Sequence, residues 1–172
     1  MSEKILETLM QLFAIIAKPE NNIDEKRGVV EAFLRHHLNH ELLQKYLSIY
    51  DKEFDEARKK LIKRGPERRE GAIAVRISKL CKDINEQGQL DHEQRIVVLI
   101  RVLEFCKSGG HKVSKRESDF IDVLKDGLNI LSDEYDCIEK FVLNSFTDIP
   151  SIPNFLIING IRDFETKVQN IL

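Results

Sequence analysis

The sequence predicts an all-α bundle of about seven or eight helices, and three observations carry that prediction. The chain repeats itself: residues 5–37 lie over residues 95–127 without a gap. Leu9, Leu12, Phe13 and Ile16 fall on Leu99, Val102, Leu103 and Cys106, while Val30, Phe33 and Leu34 fall on Phe120, Val123 and Leu124. Self-similarity of this kind marks a helical unit used twice. Apolar residues also recur at helical spacing along most of the chain. Finally, an apolar residue followed by a capping residue recurs at Ile23-Asp24, Leu38-Asn39, Leu90-Asp91, Val113-Ser114 and Leu131-Ser132. Such a pair opens a helix, because the polar side chain accepts from the orphan N–H groups of the first turn.

Each element follows from these rules. Ile5, Leu6, Leu9, Leu12, Phe13 and Ile16 form one helical stripe that Pro19 ends. Past the polar loop 18–22, Asp24 is expected to cap a second helix reaching about His37. Asn39 is expected to cap a third, with Leu38 and Leu43 as a hydrophobic staple, running toward Leu61 until Gly65-Pro66 breaks it. A fresh helix starts near Glu67 and buries Ile73, Ile77, Leu80, Cys81 and Ile84. Asp91 with Gln94 forms a capping box for the next helix, His92 to about Lys107. That helix is apolar nearly all round, which places it at the bundle centre. Gly109-Gly110 stops it, Ser114 with Glu117 opens another helix through Phe120 and Leu124, and Ser132 is expected to cap the last.

The pattern changes after Phe146. Pro150 and Pro153 disfavour helix, and Phe155-Leu156-Ile157-Ile158 is a short strand-like run closed by Asn159-Gly160, a tight-turn signal. Residues 1–146 are therefore read as the bundle. A lone strand pair does not stand alone in water, so residues 147–172 either pack on the bundle or form a linker and the β-like start of a following, truncated domain; the abrupt change of composition favours the second.

Composition narrows the function classes. A chain of 172 residues buries enough surface to fold without disulfide or metal. Charged residues make up 33% but the net charge is −2, so overall charge does not argue for nucleic acid or an anionic membrane. Trp is absent and aromatics are sparse, which weakens base stacking as a binding mode. Cys81, Cys106 and Cys137 sit within apolar helical patterns and read as reduced core thiols of a cytoplasmic protein. The N-terminal segment has periodic apolar residues rather than a signal-peptide core. No apolar run is long enough to span a bilayer.

The candidate sites are few. No phosphate-binding glycine motif occurs, so no nucleotide cofactor is expected within this chain. His36 and His40 stand at a metal-ligand spacing with Glu41 beside them, which would suit a small metal-dependent hydrolase if one helix ran through. Asn39 as a cap breaks that helix and leaves a polar surface turn. Acidic residues recur in or near the interhelical loops, at Glu20, Asp24, Asp83, Glu86 and Glu117, and a carboxylate cluster could hold a hard cation. Capping alone accounts for Asp24 and Glu117. The strongest charge block is Arg58, Lys59, Lys60, Lys63, Arg64, Arg68 and Arg69, diluted by Asp55, Glu56, Glu67 and Glu70. It reads as a solvated hinge between helices or as a patch for an acidic partner.

The repeated loop-and-cap pattern resembles the TerB-like family of tellurite-resistance domains, which includes the N-terminal region of membrane-anchored DnaJ-like co-chaperones. That family is all-α with internally duplicated helices, and its signature is an Asp-Gly loop, a small apolar residue, then a Glu four positions on. Val113-Ser114-Lys115-Arg116-Glu117 matches the latter half, with Gly110-His111 in place of Asp-Gly. In the first unit Glu20-Asn21 stands at the loop and Arg27 at the Glu position; in the middle unit these are Gln87-Gly88 and Gln94. Lys4-Ile5-Leu6, the run Leu9–Ala17, Val29–Leu34 and Arg95–Phe105 are similar to the N-terminus of a group of large bacterial ABC-transporter polypeptides, in which a TerB-like region precedes an ATP-binding cassette and membrane helices. The resemblance implies a non-catalytic interaction or regulatory domain on the cytosolic face of the inner membrane. ATP, membrane and chemistry would then belong to downstream regions, with a protein partner or neighbouring domains docking on this one. The alternative it implies is a stand-alone stress-response protein binding a metal cation through loop carboxylates.

Overall fold

The repeat in the sequence is a repeat in helix order. A computed structural model describes residues 3–17, 23–62, 69–86, 90–108 and 113–143. Within them run seven helices and no strand: α1 (Glu3–Ile16), α2 (Ile23–His37), α3 (His40–Ile62), α4 (Arg69–Glu86), α5 (His92–Lys107), α6 (Lys115–Gly127) and α7 (Ser132–Leu143). The sequence offset that lays α1 and α2 over α5 and α6 also brings α3 to α7. The unit is thus three helices used twice, with α4 between the copies. The β-like tail expected over 147–172 lies outside the described residues.

Two helices share the centre. α5 buries Ile96, Val97, Val98, Leu99, Ile100, Val102, Leu103, Phe105 and Cys106, as its all-round apolar sequence requires. α1 buries ten of its 14 residues, from Ile5 to Ile16, and packs on α5 as well as on α3 and α4. α1 joins α5 there because it carries polar residues only at Glu3, Lys4, Glu7, Thr8 and Gln11, and Thr8 is itself buried. The Phe13 and Phe105 rings stack across the centre, 4.4 Å apart and 18° from parallel, and Phe33 of α2 meets Phe13 edge-on at 5.9 Å. Each such pair adds about 0.5–1.5 kcal/mol beyond its buried area. α3 packs on α1 and α7 on α5, the same pairing in both copies.

α4 lies against α6 and α1 through Ile73, Ile77, Cys81 and Ile84, all buried. Its approach to α6 is close because position 127 has no side chain: a Cβ there would stand 2.7 Å from Cys81 Cβ and 2.8 Å from its Sγ. The residue that the repeat lays over Gly127 is His37.

The ends of the helices follow the capping rules with two corrections. Asp91 and Gln94, and Ser114 and Glu117, form reciprocal capping boxes. Asn39 Oδ1 accepts from Leu42 N at 3.0 Å, with Leu43 buried and Leu38 half-buried as the staple. Asp24, however, already stands inside α2, which begins at Ile23. Ser132 is likewise already helical; Leu131 holds the capping position, its N–H donating to Glu134 Oε2 at 3.0 Å. The reach-back from Glu134 fixes the start of α7 one residue earlier than the serine suggests.

α6 closes differently. Asn129 is left-handed (φ 55), Asn129 N donates to Asp126 O at 3.1 Å and Ile130 N to Lys125 O at 3.1 Å. This is the Schellman arrangement, which uses up carbonyls that the helix leaves open. Asparagine tolerates the left-handed backbone better than most side chains.

Candidate functional site

The basic corner at the end of α3 is the site that the charge pattern singles out. Arg58 and Lys59 are exposed at the C-terminal end of the 23-residue α3, where cations also complement the helix dipole. Neither side chain has an ion pair or hydrogen bond with another of the described residues. Several arginines of the bundle are held in ion pairs, whereas Lys4, Lys52, Lys79, Lys115 and Lys140 are exposed like Arg58 and Lys59. Arg27 forms a bidentate pair with Asp51 of α3 at 2.9 and 3.0 Å, and that bond raises the pKa of its guanidinium. Arg76 pairs with Glu53, Arg101 with Glu104 at 2.8 Å, and Arg35 with Glu31. Lys60 and Arg69 fall in α3 and α4 by their backbone alone, and Lys63, Arg64 and Arg68 lie outside the described residues.

A second group of basic side chains closes helix ends across the fold, and no sequence signal pointed to it. Lys26 Nζ of α2 donates to Phe105 O at the end of α5 at 3.0 Å and lies 4.7 Å from the centre of the Phe105 ring. Lys107 Nζ donates to Val142 O at the end of α7 at 2.7 Å. Arg95 Nη1 reaches Leu128 O at 3.4 Å, and Asn85 Nδ2 donates to Gly127 O at 2.8 Å, both at the end of α6. The last carbonyls of a helix have no partner within its ladder, and these donors satisfy them; Phe105 O accepts from Ser108 Oγ at 2.6 Å as well. The partners stand from 33 to 79 residues apart, beyond any local pattern.

Among the described residues the metal candidates do not converge. His36 and His40 are exposed, one on α2 and one on α3, with the break at Leu38-Asn39 between them. His37 Nδ1 stands 2.9 Å from Phe33 O, within its own helix, and its ring packs on the Phe33 ring. Glu117 spends its carboxylate on Ser114 N at 2.9 Å and Ser114 Oγ at 2.7 Å. Asp83 is half-buried and Glu86 exposed on α4, where Glu86 pairs with Lys82 at 3.5 Å; Glu41 is exposed in the first turn of α3. Asp24 is described by its backbone alone, and Glu20 lies outside the described residues. Among the described residues no three His, Cys, Asp or Glu side chains form a group that could hold a metal ion.

The cysteines are placed as the apolar pattern implies. Cys81 and Cys106 are buried and Cys137 half-buried, all as free thiols. Burial pushes Cys81 from 9.0 up to about 11. Burial, then the nearby Glu117 carboxylate, pushes Cys106 up to about 12, against a smaller opposing pull from Lys26. Thiols raised in this way are poor nucleophiles at neutral pH.

Among the described residues no helix is long and apolar enough to cross a membrane. Comparison with protein-family models, with curated proteins and with solved structures finds no match to this chain.

Proposed function

We propose that this bundle is a non-catalytic docking module, acting as the cytosolic regulatory head of a bacterial ABC-transporter ATP-binding polypeptide. The observation that carries the reading is the adjacent, exposed and unpaired Arg58 and Lys59, which open a basic run through Arg69 while Arg27, Arg35, Arg76 and Arg101 are held in ion pairs. Cations left in water at a helix end keep their full charge for an acidic partner surface. The likeness of the α1, α2 and α5 sequences to the head regions of such polypeptides supports the transporter half of the reading, and the expected partner is a protein or a neighbouring domain of the same chain.

An immunoblot of fractionated native cells with an antibody raised to residues 1–146 tests the first half of the reading. A membrane-fraction band far larger than 20.0 kDa supports it, and a free band near 20.0 kDa removes the transporter from it. Arg58→Glu with Lys59→Glu tests the second half, by in-cell crosslinking of the native protein. Loss of the crosslinked species at unchanged fold and abundance supports docking through this corner, whereas an unchanged crosslinking pattern sinks it. Calorimetric titration with Ca²⁺ and Zn²⁺ is the control, since binding heat with a gain in thermal midpoint would turn the reading toward a cation-binding protein.

A further inference from the structure

We draw no further inference here: the strongest candidate, the open cleft of about 450 Å³ between α4 and α6 floored by Cys81 and Gly127, is rimmed by Lys82 and Glu86 already paired with each other, the unpartnered Asn85 Oδ1 beside it is sealed from solvent, and nothing in the structure shows what covers it.

Discussion

The two copies of the three-helix unit place an asparagine at the same point, between second and third helices, and use it for opposite purposes. Asn39 looks forward: its side chain accepts from Leu42 N and opens α3, which begins at the next residue. Asn129 looks back: its left-handed backbone closes α6. The difference lies in the neighbours. In the second copy Ile130 and Leu131 stand between the asparagine and α7, and Leu131 with Glu134 does the opening instead. The positions just inside these helices diverge in the same way. Glu117 of α6 reaches back along its own chain to Ser114, while its counterpart Arg27 of α2 reaches across to Asp51 of α3. The packing of α1 and α5 is thus shared between the copies, and the polar work at their ends is not. Apolar burial depends on spacing and survives divergence, whereas a hydrogen bond depends on one particular partner.

Substitutions at matched positions can break this comparison. Phe13 and its counterpart Leu103 are both buried across the α1–α5 centre, 2% and 0% exposed. Phe13→Ala should cost about 3–5 kcal/mol and Leu103→Ala about 2–5 kcal/mol in urea unfolding. A cost under 1 kcal/mol for either would mean that its copy does not share the core. Gly127→Ala should cost about 1–3 kcal/mol, because the new methyl meets Cys81 Cβ at 2.7 Å. A second readout is the Cys81 thiol, which should become reactive to a thiol reagent as α4 is pushed away.

Alkaline titration sharpens the picture of the buried groups. The unfolded chain loses its thiol protons from about pH 9 upward, while the folded chain keeps them until about 11 at Cys81 and about 12 at Cys106. The unfolded state then binds fewer protons, so stability falls as pH rises through that window, by about 1 kcal/mol per thiol per pH unit. Tyr50, raised from 10.0 to about 12 by burial first and Asp51 second, adds to the fall above pH 10. Urea midpoints from pH 8 to 11 should drop, and the slope should shrink in Cys81→Ala and Cys106→Ala. An unchanged slope would place these thiols in contact with water.

Lys26→Met tests the cross-unit closure of α5. It should cost about 1–2 kcal/mol, since Phe105 O loses a charged donor. Amide exchange should speed up in the last turn of α5 while the last turn of α1 holds its rate. The smallest effect is a gain: Gly28 is exposed inside α2, with nothing within 4 Å of an added Cβ. Gly28→Ala should stabilise by about 0.5–1 kcal/mol, opposite in sign to Gly127→Ala. Thermal midpoints of the two variants check that sign directly.

Much of the fold was legible because it rests on local rules. The helical stripes, the boxes at Asp91-Gln94 and Ser114-Glu117, the cap at Asn39 and the central place of α5 all follow from residues within one or two turns of each other. Asp24 and Ser132 misled because a good capping residue is also a tolerated first-turn residue, and the choice at α7 was made by Glu134. The stripe of Ile5, Leu6, Leu9, Leu12, Phe13 and Ile16 marked one buried face of α1, while the fold buries Met10, Ala14 and Ile15 as well, a consequence of packing on α3, α4 and α5 together. Lys26, Arg95 and Lys107 were invisible as helix-closing residues, since their partners arrive only through the tertiary fold. For the candidate site, the basic run was visible as charge, but that Arg58 and Lys59 would stay unpaired while Arg27 and Arg76 would not depends on which carboxylates the packing of α3 brings near.

The bare backbone at position 127 also decides an address. A duplicated bundle offers a lone connecting helix two similar berths, one on α6 and α1 and one on α2 and α5. Only the first has a gap at the depth Cys81 requires; the second has His37 at the matching point. A side chain missing at one of the two matched positions thus favours the half of the molecule on which α4 rests.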